Sequence, residues 1–179
     1  MKIQEAIAFG TDVLRYGLYI NEDDASVRQI QSDVLFLISG LLKKDNSFIR
    51  TNPLYELNKE EENTFKSWIT RRLSLEPVQY ITGETEFYGL EFYVGKGVLV
   101  PRQDTETLVD QVLEHFKNTK EELTFIDLCC GTGCIGISIL KNIPNSKCIF
   151  IDKYETPLAF TKNNIERHGL KDRATIIRS

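Results

Sequence analysis

The sequence predicts an α/β chain: a helical bundle over residues 1–75, a linker with a β-hairpin over residues 76–103, and a parallel α/β domain over residues 104–179. In the first part, apolar positions recur every three or four residues, which is typical of amphipathic helices. In the middle, two aromatic-rich segments flank a glycine, which favours a hairpin. In the last part, short apolar segments alternate with amphipathic ones, which indicates parallel strands covered by helices.

Two helices of the bundle are predicted in detail. One follows the acidic run Glu22-Asp23-Asp24, which suits a helix N-terminus. Another begins at Asn58, an N-cap with Glu61 three residues later. We assign the apolar stripes of both helices to core packing rather than to a cofactor. The stripes are formed by Val27, Ile30, Val34, Leu37, Ile38 and Leu41, and by Phe65, Trp68, Ile69 and Leu73.

The linker is predicted from turn residues. Pro77 is expected to end the helical part, and the segment 87–93 (FYGLEFY) is expected to form the hairpin. Asp104 is expected to cap the next helix, because its carboxylate can accept hydrogen bonds from free N–H groups. That helix carries an apolar face of Leu108, Val109, Val112, Leu113 and Phe116.

The α/β domain is predicted as strand, glycine turn, helix, strand, helix, strand. We expect strands at 123–128, 147–152 and 174–177. The helices between them are expected at 133–142 and 157–167, with Pro157 opening the second and Gly169 following its end.

Composition and charge bound the function. The chain has 179 residues, 41% of them hydrophobic and 27% charged, which is ordinary for a globular protein. Its start lacks a basic, apolar leader, and no window approaches the roughly 20 apolar residues of a membrane span, so we expect a cytoplasmic protein. The net charge is −4 with Lys and Arg scattered among acids, which disfavours nucleic acid as a partner.

The cysteines argue against a metal centre. No two of them form a C-x-x-C pair, and the spacing fits neither a zinc site nor a disulfide framework. We therefore expect no metal and buried, reduced thiols. The four are Cys129, Cys130, Cys134 and Cys148.

The glycine loop after the first strand has two interpretations. Gly131-x-Gly133-x-x-Gly136 matches the dinucleotide pattern, and Asp152, 21 residues after the first glycine, could hold ribose hydroxyls. Asp127, however, precedes the loop, and a carboxylate there opposes a pyrophosphate. S-adenosylmethionine instead presents an ammonium and a sulfonium, which a carboxylate favours. Asp127 therefore favours the methyl donor over NAD, and Asp152 suits both cofactors.

A resemblance to a known family rests on residues outside this loop. Pro101-Arg102-Gln103-Asp104-Thr105-Glu106, preceded by the segments 79–83 (QYITG) and 87–92 (FYGLEF), resembles the linker region of the peptide chain release-factor glutamine methyltransferases. The resemblance covers the whole chain. It implies a bundle and hairpin followed by the first half of a Rossmann-like S-adenosylmethionine-dependent methyltransferase domain, acting on a glutamine-bearing loop of a release factor.

The resemblance also implies site residues. Pro101, Arg102, Thr105 and Glu106 become candidates for substrate placement; a stiff connector is the alternative interpretation of this segment. Gln103 departs from the family's usual Pro, and Cys129 and Cys130 from its usual Gly and Thr; a Cys needing positive φ would be strained. The implied cofactor residues are Asp127, Cys129, Cys130, Gly131, Thr132, Gly133 and Asp152.

The family's catalytic Asn-Pro-Pro-Tyr does not occur in this sequence. We therefore expect this chain to be an inactive fragment with no catalytic residue of its own, and its first strand to be an open edge that invites self-association. His115 and His168, near helix ends, are expected to be solvated or capping residues rather than bases. Four alternatives remain: a glutamine methyltransferase acting on a ribosomal protein, an NAD(P)-dependent oxidoreductase, a non-catalytic release-factor-binding module and a nucleic-acid methyltransferase.

Overall fold

The computed structural model describes residues 1–18 and 24–179 of the chain. It divides into two compact units, Met1–Thr82 and Gly83–Ser179. The predicted linker therefore contributes to both units. The elements of the first unit are α1 (Ile3–Gly17), α2 (Asp24–Leu42), α3 (Asn46–Thr51), α4 (Lys59–Leu73) and α5 (Val78–Thr82). Those of the second are β1 (Glu84–Phe87), β2 (Leu90–Tyr93), α6 (Glu106–Phe116), β3 (Leu123–Leu128), α7 (Cys134–Asn142), β4 (Ser146–Asp152), α8 (Glu155–Arg167) and β5 (Ala174–Arg178).

The first unit is a helical bundle around one apolar core, as predicted. Both apolar stripes face this core, with Val34 and Phe65 fully buried and Trp68 packed against its rim. Core packing is therefore confirmed for the stripe residues other than Val27, which is half-buried and lies outside this cluster. Glu22 and Asp23, the start of the acidic run, lie outside the described residues.

The start of α4 confirms the predicted capping box. The side chain of Asn58 accepts a hydrogen bond from the Glu61 N–H at 2.9 Å, and the Asn58 N–H donates to Glu61 Oε2 at 2.8 Å. The two bonds satisfy donors that the first turn of a helix leaves free.

Asn58→Ala is expected to lower the free energy of unfolding of the bundle by about 1 kcal/mol, because the Glu61 N–H loses its acceptor. Chemical denaturation followed by circular dichroism checks this value. Asn63→Ala, on the exposed part of the same helix, is the control and is expected to leave stability within about 0.5 kcal/mol. Equal effects of the two changes would contradict the role of the cap.

The expectation that Pro77 ends the helical part is wrong. Pro77 directly precedes α5, and its carbonyl accepts hydrogen bonds from the N–H groups of Tyr80 and Ile81. A proline lacks only the N–H group, which the first turn of a helix does not use, so it can open a helix as well as follow one.

The hairpin is confirmed and belongs to the second unit. Strands β1 and β2 pair antiparallel from Glu84↔Tyr93 to Phe87↔Leu90. The turn residues Tyr88 and Gly89 have φ values of +54° and +68°, the combination that a two-residue type I′ turn requires. Phe87 and Phe92 turn into the core of this unit.

Asp104 does not cap α6, contrary to expectation. Residues 103–105 form a 3₁₀ turn that runs straight into α6, and Thr105 at the N-cap position already has helical φ and ψ angles. Side-chain capping needs an extended residue at that position, so no side chain caps this helix.

The three predicted strands form a parallel sheet in the order β3-β4-β5, which confirms the α/β class. Strand β3 has the predicted bounds, and α8 begins at Glu155, two residues before Pro157. Pro157 is tolerated there because it still lies in the first helical turn.

Strand β3 is an edge of this sheet, because β4 is its only partner strand among residues 1–18 and 24–179. Its outer face is apolar, with Ile126 60% and Leu128 69% exposed. A groove of about 280 Å³ beside it is lined by Leu108, Val112, Phe116, Leu123, Thr124, Phe125, Ile126, Ile135, Ile139 and Ile143. The predicted self-association of such an edge stays a prediction.

None of the helices in the described ranges is long and apolar enough to cross a membrane.

Candidate functional site

Two acids meet where β3 and β4 end. Asp127 lies near the carboxyl end of β3, and Asp152 is the last residue of β4. Because the two strands are parallel neighbours, both carboxylates reach the same edge of the sheet. The glycine loop 129–133 directly follows β3 and contacts Asp152 through the Gly131 N–H. Ligands of open parallel sheets bind at this edge.

The surroundings of the Asp127 carboxylate disfavour its ionised form. Its Oδ2 accepts a hydrogen bond from the Gly136 N–H at 3.0 Å, within the first turn of α7. Burial raises the pKa of Asp127 to about 6; the hydrogen bond from Gly136 opposes this shift, and the nearby Asp152 adds to it. At neutral pH the site therefore carries a negative charge that its surroundings compensate poorly.

Asp152 orders the loop. Its Oδ2 accepts a hydrogen bond from the Gly131 N–H and its Oδ1 accepts one from the Tyr154 N–H, both at 3.1 Å. The residue is only 9% exposed. Each carboxylate oxygen can accept more than one hydrogen bond, so capacity for hydroxyl donors remains.

The loop backbone leaves room beside it. Gly131 has a φ of +59°, and a Cβ atom placed there would meet no atom within 4 Å, so a ligand can approach the bare backbone. Cys129 also has a positive φ, +58°. The left-handed region costs a non-glycine residue roughly 1 kcal/mol, so the strain expected for a cysteine here is present in the structure.

Gly136 has a different function from Gly131. A Cβ atom on it would lie 2.5 Å from Phe150 Cε1 and 2.9 Å from Asp127 Oδ2. The absence of a side chain thus lets α7 pack closely on the sheet and brings its N–H group to Asp127.

Three of the four cysteines are buried, as expected. Burial raises the pKa of Cys130 and of Cys134 to about 11, and that of Cys148 further, so these thiols stay protonated at neutral pH. Cys129 is exposed, which corrects the expectation for that residue.

Two polar residues of α8 that were not predicted from the sequence bind carbonyl groups of the loop. Thr161 Oγ1 donates to the Gly131 carbonyl at 2.9 Å, and Asn164 Nδ2 donates to the Thr132 carbonyl at 2.9 Å. Both side chains are fully buried. Their spacing of three residues on an otherwise apolar helix face was the available signal.

The substrate-placement candidates lie elsewhere. The Glu106 carboxylate accepts a hydrogen bond from the Tyr88 N–H at 2.8 Å, which ties α6 to the hairpin turn. Arg102 is exposed and Pro101 half-buried, and the Arg102 carbonyl accepts the Thr105 N–H within the 3₁₀ turn. The structure thus brings together the two acids and the loop, and joins Glu106 to the hairpin.

Neither histidine reaches the two acids. His168 is the C-cap of α8, and its Nε2 lies 2.8 Å from the Glu91 carbonyl. Burial lowers the pKa of His168. His115, in the last turn of α6, is exposed and packs edge-on against Phe116. His115 is thus solvated and His168 lies at a helix C-cap, as predicted.

Two family models match this chain in succession. Residues 23–83 match the PrmC N-terminal domain, and residues 103–179 match the methyltransferase small domain. Together they cover helices α2 to α5 of the bundle and the sheet that carries the two acids.

Curated relatives agree with these matches. Proteins named release factor glutamine methyltransferase are 44% identical over 87% of this chain in Clostridium botulinum, and 40% identical over 86% in Thermodesulfovibrio yellowstonii. One from Clostridium acetobutylicum is 34% identical over 98% of the chain. The chain covers 54%, 53% and 59% of these relatives, about half of their length. By this succession of domains and these relatives, the chain belongs to the PrmC family of methyltransferases.

Proposed function

We propose that the loop 129–133 binds S-adenosylmethionine, and that the enzyme to which this chain contributes methylates a side-chain amide of glutamine in a peptide chain release factor. The observation that carries the cofactor proposal is the pair of carboxylates, Asp127 and Asp152, at the ends of adjacent parallel strands. The half-buried Asp127 carboxylate favours a cation, since a positive charge beside it would relieve the cost of its ionisation.

The residues fit this cofactor better than a dinucleotide. A pyrophosphate would meet a carboxylate, where a phosphate site needs free N–H groups. The Gly136 and Gly131 N–H groups are already bound to Asp127 and Asp152. Open space at Gly131 suits a ligand that contacts the backbone. Asp127 would hold the ammonium end of the cofactor, and Asp152 its ribose hydroxyls.

The chain's own task is positioning. When bound, S-adenosylmethionine supplies an electrophilic methyl group on a sulfonium. An amide nitrogen is a poor nucleophile, so rate depends on holding the two reactants in line and excluding water. Asp127, Asp152 and the loop between them would fix the position of the cofactor, and α8 would fix the loop.

The substrate proposal rests on similarity. The matched relatives are named for release-factor glutamine, and the bundle matches the N-terminal domain of the same family. Since this chain spans about half of those relatives, the methyl transfer is proposed for the whole enzyme. Pro101, Arg102, Thr105 and Glu106 stay candidates for substrate placement, with Glu106 acting through the hairpin turn.

Titration calorimetry of the chain is expected to show saturable binding of S-adenosylmethionine and S-adenosylhomocysteine, with no heat from NADH. The physical reason is the sign of the charge at Asp127. Binding of NADH without binding of S-adenosylhomocysteine would overturn the proposal in favour of the oxidoreductase.

Titration calorimetry also tests the proposed partner. A release factor should bind to the chain, and should bind more weakly when its loop glutamine is replaced by alanine. Binding that survives deletion of residues 121–179 and ignores the glutamine would favour the non-catalytic module.

A further inference from the structure

Asn164 joins two parts of the second unit that are distant in sequence. Its Oδ1 accepts the Tyr93 N–H at 2.7 Å, and its Nδ2 donates to the Tyr93 carbonyl at 3.1 Å and to the Thr132 carbonyl at 2.9 Å. Both amide hydrogens and the carbonyl oxygen are thus used. The side chain is fully buried, so water cannot replace these bonds if the side chain is removed.

One partner of Asn164 is the end of hairpin strand β2, and the other is the glycine loop. The amide therefore sets the distance between β2 and the loop. Thr161, one turn earlier on α8, holds only the loop, through the Gly131 carbonyl at 2.9 Å. Each side chain takes one carbonyl of the loop, while the Gly131 N–H on the same loop donates to Asp152.

The hairpin has its own anchor on the same helix. Arg167 pairs with Glu84 of β1 at 2.9 Å and with Glu91 of β2, and its guanidinium lies 4.5 Å from the ring centroid of Tyr93. Arg167 thus fixes the strands next to the residue whose backbone Asn164 binds. Within the described part of the chain, Arg167 forms no ion pair or hydrogen bond with the loop; Tyr93 and Asn164 connect the two.

We propose that Asn164 is a positioning residue that couples the hairpin to the cofactor loop, so that the placement of the hairpin sets the affinity of the loop for the cofactor. This inference rests on the proposed function. A shift in the position of the hairpin, whose Tyr88 N–H also donates to Glu106, would therefore alter cofactor binding. This coupling involves no covalent step, since it acts only through the hydrogen bonds of the buried Asn164 amide.

The test compares three variants of the full chain: Asn164→Ala, Thr161→Val and Arg167→Met. Amide hydrogen exchange without ligand is measured in the hairpin (84–93) and the loop (129–134), and affinity for S-adenosylhomocysteine by calorimetry. Asn164→Ala is expected to speed exchange in both segments and to weaken binding by about tenfold or more, as removal of a residue that orients a ligand-binding group does. Thr161→Val should affect the loop alone, because it breaks no bond to the hairpin.

Arg167→Met tests the coupling itself and keeps the aliphatic stem. When Asn164 is present, it should speed exchange in both the hairpin and the loop and weaken binding by about threefold. In the Asn164→Ala background it should change affinity much less. This variant retains Asn164, so it still tests the coupling between the hairpin and the loop if Asn164→Ala does not fold. Faster hairpin exchange with an unchanged loop in Asn164→Ala, or in Arg167→Met, would overturn the coupling. If the unmodified chain binds no S-adenosylhomocysteine, the proposed function fails, and the exchange measurements still decide the role of Asn164.

Discussion

Asp127→Asn is expected to stabilise the second unit at neutral pH while it weakens cofactor binding. The pKa of Asp127 is about 6 in the folded chain, against 3.8 for a free side chain. The difference corresponds to about 3 kcal/mol of unfavourable ionisation. An asparagine keeps an oxygen for the Gly136 N–H but carries no charge. The free energy of unfolding should therefore rise at about pH 7.5 by an amount approaching that value.

The pH dependence has a definite sign. Below about pH 4, Asp127 is protonated in both the folded and the unfolded chain and contributes no penalty. Between about pH 4 and pH 6 the unfolded chain ionises first, so the stability of the unmodified chain falls as pH rises, and the penalty is constant above about pH 6. The advantage of Asp127→Asn should thus appear across this window. Denaturant unfolding at several pH values measures it.

Binding should change in the opposite direction. Loss of the partner of a buried charge costs about 2 kcal/mol or more, so affinity for S-adenosylmethionine should fall by about 30-fold or more. Affinity of the unmodified chain should likewise fall as pH drops through about 6, where Asp127 becomes protonated. Asp172→Asn, at an exposed position, is the control for both measurements. A variant at Asp127 that loses stability at neutral pH, or binds the cofactor as before, would contradict this account of the site.

Gly136→Ala is expected to destabilise the second unit by about 3 kcal/mol, because the new methyl group would overlap Phe150 in a packed core. A Cβ atom 2.5 Å from the Phe150 ring and 2.9 Å from Asp127 Oδ2 forces α7 away from the sheet. The same shift removes the Gly136 N–H from Asp127, so cofactor affinity falls as well. Thermal unfolding followed by circular dichroism measures the loss of stability.

Gly131→Ala is expected to lower cofactor affinity with only a small loss of stability. No atom lies within 4 Å of its added Cβ, so the cost is that of the positive φ, about 1 kcal/mol. Cofactor affinity should nevertheless fall, since the methyl group occupies the side from which a ligand meets the backbone. Gly169→Ala, at a positive φ with open space but away from the loop, should show the cost in stability without the loss of affinity. A similar loss of stability at all three positions would contradict the packing role of Gly136.

Several features could be predicted from the sequence because they depend on local patterns. The period of apolar residues determined the helices of the bundle and the bounds of β3, and the Asn58–Glu61 pair determined a helix start. The glycine pattern and the two acids predicted a candidate site, since strand ends in a parallel sheet share one edge. The predicted cap at Asp104 was wrong because residues 103–105 form a 3₁₀ turn. Their backbone is already helical, whereas a capping residue needs an extended backbone.

The sequence by itself determined the α/β class, the order of the elements and the identity of the acids Asp127 and Asp152, because each follows from short-range periodicity or spacing. Only the tertiary structure decided what those residues contact. Burial raises the pKa of Asp127, and the Phe150 ring requires a glycine at position 136. Asn164 binds Tyr93, 71 residues away in the sequence, and Thr132, 32 residues away. These effects come from atoms far apart in the chain, so no local pattern encodes them.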